Sequence, residues 1–190
     1  MSERRPPNAN EPEGPGSDQD PGVRLGEDQL GFDPANVDYH EIARRGDMDV
    51  MEAFLRAGLN PDLTDPRGYS LLMIAAYSGQ RAMAELLLGH GADPDLPDPS
   101  GNTPLMGVCF KAYPEVGKLL LDRGADPDAR NGAGQTALMF AAMFKQDEIA
   151  DALLTRGADV GATDPEGRTA ADISRAHGHT DLAERLAAAE

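Results

Sequence analysis

The chain of 190 residues has little of what builds a thick globular core. It contains no tryptophan, only 5% of its residues are aromatic, and 40% are hydrophobic. This composition is poor for a globule that buries one large core. It suits thin layers that are covered by their neighbours.

Cysteine is almost absent as well. Cys109 is the only cysteine, which excludes an internal disulfide and suits a reducing compartment. No apolar run typical of a secretory signal follows Met1, and no stretch is long enough to cross a bilayer. We therefore expect a cytoplasmic protein with no membrane span.

Positive charge is also in short supply. The chain has 17 Lys and Arg against 33 Asp and Glu, a net charge of −16. Residues 1–35 hold eight acidic residues and three arginines, so they contribute −5 and leave −11 on the remainder. Such a chain repels phosphate backbones and anionic membrane surfaces. We expect neither nucleic acid nor a membrane as a partner.

What the sequence does have is repetition. Two sets of glycines recur every 33 residues, namely Gly68, Gly101, Gly134 and Gly167, and Gly58, Gly91, Gly124 and Gly157. A fixed period of this kind indicates a repeat protein, in which each unit covers the apolar face of the next.

Each unit predicts two short helices. A hydroxyl residue stands at the start of the first helix in every full unit, as expected of an N-cap: Ser70, Thr103, Thr136 and Thr169. The first helix carries small residues and the second carries leucines, before a glycine suited to a left-handed C-cap. Neither helix is long enough to be stable alone.

The two ends differ from the inner units. In the first unit no hairpin precedes the helix pair, and we expect Val50-Met51 and Phe54-Leu55 to form its buried face. In the fifth unit Arg175 replaces the small residue of the inner units, which indicates a C-terminal cap that faces water. Residues 1–30 have almost nothing to bury and are predicted to be a disordered acidic tail.

These motifs resemble the ankyrin repeat family. The resemblance rests on Thr103-Pro104-Leu105 and on the closing triplets Gly91-Ala92-Asp93, Gly124-Ala125-Asp126 and Gly157-Ala158-Asp159, and it covers roughly residues 36–187. It implies an all-α repeat: an ankyrin-type solenoid of stacked helix-turn-helix units with β-turn or hairpin loops. The predicted domain spans residues 36–190, with units at 36–64, 65–97, 98–130, 131–163 and 164–190.

The sequence departs from the family pattern in two places. Met73, Met106 and Met139 replace the histidine of the T-P-L-H motif, and we expect a column of thioethers there. Ala112 and Lys145 replace the glycine between the two helices. Either they adopt a left-handed conformation at a cost of about 1 kcal/mol each, or the turn has another shape.

The resemblance also implies a function. In this family the hairpin tips and the exposed ends of the first helices line a concave groove that binds other proteins. By position, the partner-binding residues are Arg67, Tyr69, Tyr77, Asn102, Phe110, Lys111, Gln135, Met143, Phe144 and Arg168. The rings among them have the composition of a binding hot spot. Alternatively, the rings only cover the first helices or pack against a neighbouring unit.

Other chemistry finds little support. The four histidines have no serine or cysteine with an acid partner at a recurring spacing, so no catalytic site is expected. His177-Gly178-His179 has no third ligand nearby, and Asp93-Pro94-Asp95 fits a turn better than a calcium loop. We predict a monomer that is not an enzyme and has no metal and no cofactor. The alternative is a redox-responsive regulator or accessory protein of a stress enzyme, such as a catalase, acting through Cys109 or the repeat surface.

Overall fold

The computed structural model describes residues 37–189 as a stack of helix pairs. The tail predicted at residues 1–30 lies outside this part. Within it the chain forms ten α-helices and no strand. They are α1 (Tyr39–Arg45), α2 (Met48–Arg56), α3 (Leu71–Tyr77), α4 (Arg81–Gly89), α5 (Pro104–Lys111), α6 (Pro114–Asp122), α7 (Ala137–Met143), α8 (Asp147–Thr155), α9 (Ala170–Ala176) and α10 (Thr180–Ala187).

Hydroxyl side chains fix where the first helices begin. Ser70 Oγ accepts a hydrogen bond from the backbone N–H of Met73 at 3.1 Å, and Thr103, Thr136 and Thr169 bond in the same way to the third residue of their helices. Each bond satisfies a backbone donor that the first turn of a helix leaves unpaired. The predicted N-caps are confirmed.

A glycine ends each inner second helix. After α4, Gly91 has a φ of 89°, its N–H donates to Leu88 O at 3.1 Å, and the N–H of Ala92 donates to Leu87 O at 3.0 Å. This pair of bonds satisfies the last carbonyls of the helix and requires a left-handed residue, which glycine adopts without penalty.

The helices form two layers. The first helices α1, α3, α5, α7 and α9 pack side by side, and the second helices α2, α4, α6 and α8 do the same behind them. Met73, Met106 and Met139 are fully buried in this stack, so the predicted thioether column is present. In the first unit His40 holds the equivalent position, and its Nε2 donates to Leu63 O at 3.2 Å.

The buried face predicted for the first unit is wrong in one residue. Met51 and Leu55 are buried and Phe54 lies edge-on against Tyr39 with the ring centres 5.0 Å apart, but Val50 is 46% exposed. Met48, Met51 and Leu55 stand at positions i, i+3 and i+7, which share one face of an α-helix. This is the face that α2 buries, and Val50 lies outside it, toward solvent.

The turn between the two helices keeps one shape throughout. Ala112 has a φ of 62° and Lys145 a φ of 53°, close to the 69° of Gly79 at the same position. The first of the two alternatives therefore holds: both residues adopt the left-handed conformation, at a cost of about 1 kcal/mol each.

The fifth unit closes the stack. Arg175 is exposed and pairs with Asp172 at 3.0 Å on the outer face of α9. Ala171 and Ile173 are buried on the other side. A charged outer face and a buried inner one are what a terminal unit needs.

Candidate partner-binding surface

The hairpin tips are held by the acidic or amide residue that opens each of them. In the second unit the N–H of Asp65 donates to Tyr69 O at 2.9 Å, and Asp65 Oδ1 accepts the N–H groups of Arg67 and Tyr69 at 2.9 Å each. Asp98, Asn131 and Asp164 make the same bonds in the next three units. A short polar side chain that bonds to the backbone ahead of it favours such turns.

Neighbouring tips are also bonded to each other. Asn131 Nδ2 donates to Asn102 Oδ1 at 2.8 Å, and the N–H of Gly132 donates to Ser100 O at 2.8 Å. Farther along the stack Arg130 Nη1 donates to Thr163 O at 2.7 Å. The tips of the last three units are therefore connected as one edge.

A tip and a first helix meet at Tyr77. The guanidinium of Arg67 lies over the ring of Tyr69, 5.3 Å from its centre, and both line a cavity of about 230 Å³ together with Met73 and Tyr77 of α3. Burial raises the pKa of the Tyr77 hydroxyl, and Asp98 and Tyr69 raise it further. The hydroxyl is thus a neutral donor at physiological pH.

Tyr77 also lies across the next unit. A Cβ atom built on Gly107 of α5 would stand 2.5 Å from Tyr77 Cε2. The equivalent residues in other units are Ile74, Phe140 and Ile173. Gly107 therefore leaves space for the ring of Tyr77. The predicted alternative, in which rings pack against a neighbouring unit, holds for this residue.

A line of rings continues from Tyr77 through two further units. Lys111 Nζ lies 6.0 Å from the centre of the Tyr77 ring and 5.9 Å from that of Phe110. Phe110 meets Phe144 edge-on at 5.1 Å, and Phe144 lies 6.3 Å from Phe140. We call Tyr77, Phe110, Phe140 and Phe144 the aromatic strip.

Phe110 is the open member of the aromatic strip. Its side chain is 50% exposed, whereas Tyr77, Phe140 and Phe144 are partly buried. An exposed ring beside a lysine, with further rings behind it, is a typical composition for a binding hot spot. Phe140 was not among the predicted site residues, although it lies one helical turn before the predicted Phe144.

The remaining predicted site residues have other contacts. Arg168 Nε donates to Asp164 Oδ2 at 2.8 Å, a pairing that lowers the pKa of Asp164 and raises that of Arg168. Asn102 Nδ2 donates to Asp98 Oδ2 at 3.1 Å. Met143 packs on the core. Gln135 is partly buried in the fourth tip. Their roles in partner binding stay predictions.

The cysteine is enclosed between units. Cys109 is fully buried, and its Sγ lies 3.5 Å from Ala137 O. Burial raises the pKa of the thiol to about 12. Because the thiolate is the reactive form, this thiol is a poor nucleophile and a poor redox sensor in the folded protein.

Three of the four histidines, His40, His177 and His179, bond to backbone carbonyls. His179 Nε2 lies 3.2 Å from Met143 O, and His177 Nδ1 lies 2.9 Å from Ile173 O. Over residues 37–189 no group of three His, Cys, Asp or Glu side chains is placed to hold a metal ion. The same residues contain no helix with the length and apolar character that a membrane crossing requires.

The Asp-Pro-Asp loops are turn structures, as predicted, and they also link the units. Asp93 Oδ1 accepts the N–H of Asp95 at 2.9 Å, and Asp95 accepts the N–H of Asp126 in the next unit at 3.0 Å. Asp62 and Asp128 make the same link to their successors at 2.8 Å. Sequence reasoning missed this link, although the aspartates recur at the repeat period.

Ion pairs join the second helices on the opposite side of the stack. Arg123 pairs with Glu85 of α4 at 2.8 Å, and Lys118 of α6 pairs with Glu148 of α8 at 3.1 Å. Arg156 reaches back to Asp122. Exposed pairs of this kind contribute about 0–1 kcal/mol each. Their main effect here is that the cations on this side of the stack already have carboxylate partners.

Comparison with known proteins identifies the repeat. The family described as ankyrin repeats (3 copies) matches residues 39–131 and 115–190. No curated protein matches the chain. The matched residues include all ten helices, the hairpin tips and the aromatic strip. The chain therefore belongs to the ankyrin repeat family.

Proposed function

We propose that the protein is a non-catalytic protein-binding module whose hairpin tips and first-helix ends form a concave groove for a protein partner. The observation that carries the proposal is the aromatic strip, with Phe110 half exposed beside Lys111. Ankyrin repeats generally mediate protein–protein interactions, and this feature lies where such contacts are made.

The surface suits binding because it is already ordered. The tips are closed by backbone hydrogen bonds and tied to one another through Asn102 and Asn131. A preformed surface loses little conformational entropy when a partner binds. The free energy of the new contacts is then available for affinity.

The members of the aromatic strip have different roles. Tyr77 rests on Gly107 and shapes the floor of the groove, and Phe140 and Phe144 are partly buried behind Phe110. Phe110 and Lys111 are exposed and can contact a partner directly. We therefore assign the central anchor to Phe110.

Affinity capture from the native cell tests the assignment. The double variant Phe110→Ala/Lys111→Ala is compared with Arg81→Ala/Lys118→Ala, which removes two cations from the second helices. We expect the wild type and the second variant to capture the same partner, and the first to lose it while its circular dichroism stays unchanged. Equal capture by both variants would show that the groove is not the binding site.

A redox or accessory role through Cys109 has no supporting observation, since the thiol is buried and its pKa is raised. A cytoplasmic location and a monomeric state stay predictions. Gel filtration with light scattering tests the second of these.

A further inference from the structure

The cations of the three inner units divide between the two sides of the stack. Residues 65–163 contain eight Lys and Arg. Four lie on or directly after the second helices, and all four form ion pairs: Arg81, Lys118, Arg123 and Arg156. The other four lie on the hairpins or at the ends of the first helices, and none of them forms an ion pair with the described residues: Arg67, Lys111, Arg130 and Lys145.

The acidic residues follow the opposite pattern. Helices α3, α5 and α7 contain no Asp or Glu. Asp65 and Asp98 lie at the tips, and the charge of Asp98 acts on Tyr77, but neither carboxylate forms an ion pair with Arg67 or Lys111. Their Oδ1 atoms each accept two backbone N–H groups of their own loops instead. Within residues 37–189 of a chain with a net charge of −16, the groove side of the three inner units is thus where positive charge is left without a carboxylate partner.

Two of the free cations are held over rings. Arg67 lies over Tyr69, and Lys111 lies between the rings of Tyr77 and Phe110. A cation on a ring face keeps its position without being neutralised, because the ring is uncharged. The groove therefore presents fixed positive charge and apolar rings side by side.

We infer that the partner binds through an acidic linear segment in which carboxylates alternate with apolar side chains. The inference rests on the proposed function and specifies the chemical character of the segment that the groove binds. The carboxylates would pair with Lys111 and Arg67, and the apolar side chains would contact Phe110. Charge-assisted contacts with a carboxylate are stronger than neutral hydrogen bonds.

The spacing of the units suggests the pattern of the segment. Adjacent packed helices are about 8–10 Å apart, and a polyproline II chain rises about 3.1 Å per residue with three residues per turn, so that every third side chain faces the same way. One unit therefore corresponds to about three residues of ligand. An acid and an apolar residue recurring every third position would meet successive units.

A peptide fits the groove better than a nucleic acid does. A long polyanion would also be repelled by the rest of this chain, whose net charge is −16. A peptide segment carries fewer charges and places apolar side chains against the rings beside Lys111. Charges more than about 8 Å away are largely screened at physiological salt.

Fluorescence anisotropy with the full chain tests the inference. The probe is a labelled peptide of five Gly-Glu-Leu triplets, and the matched peptides carry Gln or Lys in place of Glu. We expect the Glu peptide to bind at least tenfold more tightly than the Gln peptide, and the Lys peptide to bind most weakly. Lys111→Glu should remove this preference, whereas Arg56→Glu, the same charge change on α2, should leave it intact.

Several results would overturn the inference. Equal affinity for the Glu and Gln peptides would do so, as would an effect of Arg56→Glu as large as that of Lys111→Glu. Tighter binding of a labelled dT12 oligonucleotide than of the Glu peptide would assign the groove to nucleic acid instead. If capture of the native partner still depends on Phe110 in these cases, the proposed function stands and only the acidic class of partner is wrong.

The acidic N-terminal segment of the chain is a competing occupant. It is tested in the full chain by the variant Glu11→Gln/Glu13→Gln/Asp18→Asn/Asp20→Asn. We expect this variant to bind the Glu peptide with the affinity of the wild type. Binding tenfold tighter would mean that the chain's own segment occupies the groove, and the assignment to a separate partner would fail.

Discussion

The ring of Tyr77 lies across the backbone of Gly107, one unit farther along the stack, so closely that a methyl group at Gly107 would stand 2.5 Å from Tyr77 Cε2. A glycine inside a helix costs about 0.5–1 kcal/mol relative to alanine. This cost is present in α5, where the lack of a side chain at Gly107 leaves the space that the Tyr77 ring occupies. The contact therefore connects the stability of one unit to the groove of another.

Gly107→Ala is expected to destabilise the protein by about 1 kcal/mol. The clash with the ring, a form of overpacking that costs about 1–3 kcal/mol, exceeds the gain in helix propensity. In a Tyr77→Ala background the same substitution should instead stabilise by about 0.5–1 kcal/mol. Urea unfolding of the four proteins measures the difference.

Gly117→Ala in α6 is the matched control. A Cβ atom at Gly117 would lie 3.4 Å from Val108 Cγ2, an ordinary contact, so this substitution should raise the free energy of unfolding in both backgrounds. A Gly107→Ala protein more stable than the wild type would contradict the contact.

Ala112→Gly and Lys145→Gly are each expected to stabilise the protein by about 1 kcal/mol, because both residues have a positive φ that glycine adopts without penalty. Thermal or urea unfolding measures this gain. The reverse change Gly79→Ala should destabilise by more than 1 kcal/mol, since its Cβ would also stand 2.8 Å from the ring of Tyr113. No change in the midpoint for all three variants would refute this account of the turn.

Asp95 is expected to show opposite effects in two variants. Asp95→Ala should cost up to about 1 kcal/mol, because the N–H of Asp126 loses its acceptor. Asp95→Asn keeps an oxygen acceptor and should be at least as stable as the wild type at pH 7. Burial chiefly, and then the charges of Asp126 and Asp93, raise the pKa of Asp95 above its ordinary value of 3.8.

The pH dependence follows from the direction of that shift. A carboxyl group with a raised pKa in the folded state destabilises the fold once it ionises, so the penalty grows as the pH rises from 3.8 through the folded pKa. The advantage of Asp95→Asn over the wild type should therefore increase across this window and stay constant above it. An advantage that shrinks with rising pH would contradict the sign.

Cys109 should resist thiol reagents in the native protein. We expect labelling at pH 8 to be at least a hundredfold slower than in urea, as for a site whose exposure needs an opening of about 3 kcal/mol. Cys109→Ala serves as the blank. That variant should stay folded, because alanine occupies the same position in two other units, Ala76 and Ala142. Rapid labelling would revive the redox hypothesis.

Sequence reasoning predicted what depends on local structure. The caps at Ser70 and Thr103 and the left-handed Gly91 follow from the chemistry of one helix end, and each is confirmed. The burial of Met106 followed from its place in the ankyrin motif, where it replaces the histidine. These features repeat because every unit forms the same two helices, which begin and end in the same way.

It did not predict what depends on the neighbouring unit. The position of Tyr77 is set by Gly107, thirty residues away, and the link from Asp95 to Asp126 joins separate loops. Whether a lysine such as Lys118 or Lys111 is neutralised depends on the helix beside it. The exposure of Val50 has a similar origin, since among the described second helices α4 alone packs beside α2.

The aspartate that bonds to the following loop recurs at Asp62, Asp95 and Asp128 and is replaced by glycine at Gly161. The first three junctions between units therefore have the same aspartate acceptor, and the junction between the fourth and fifth units lacks it. Excision or duplication of one whole 33-residue unit between residues 62 and 159 would again place such an aspartate next to the backbone N–H that it binds. An insertion or deletion of any other length would separate the two groups. The polypeptide is thus suited to vary in length by whole units within residues 62–159.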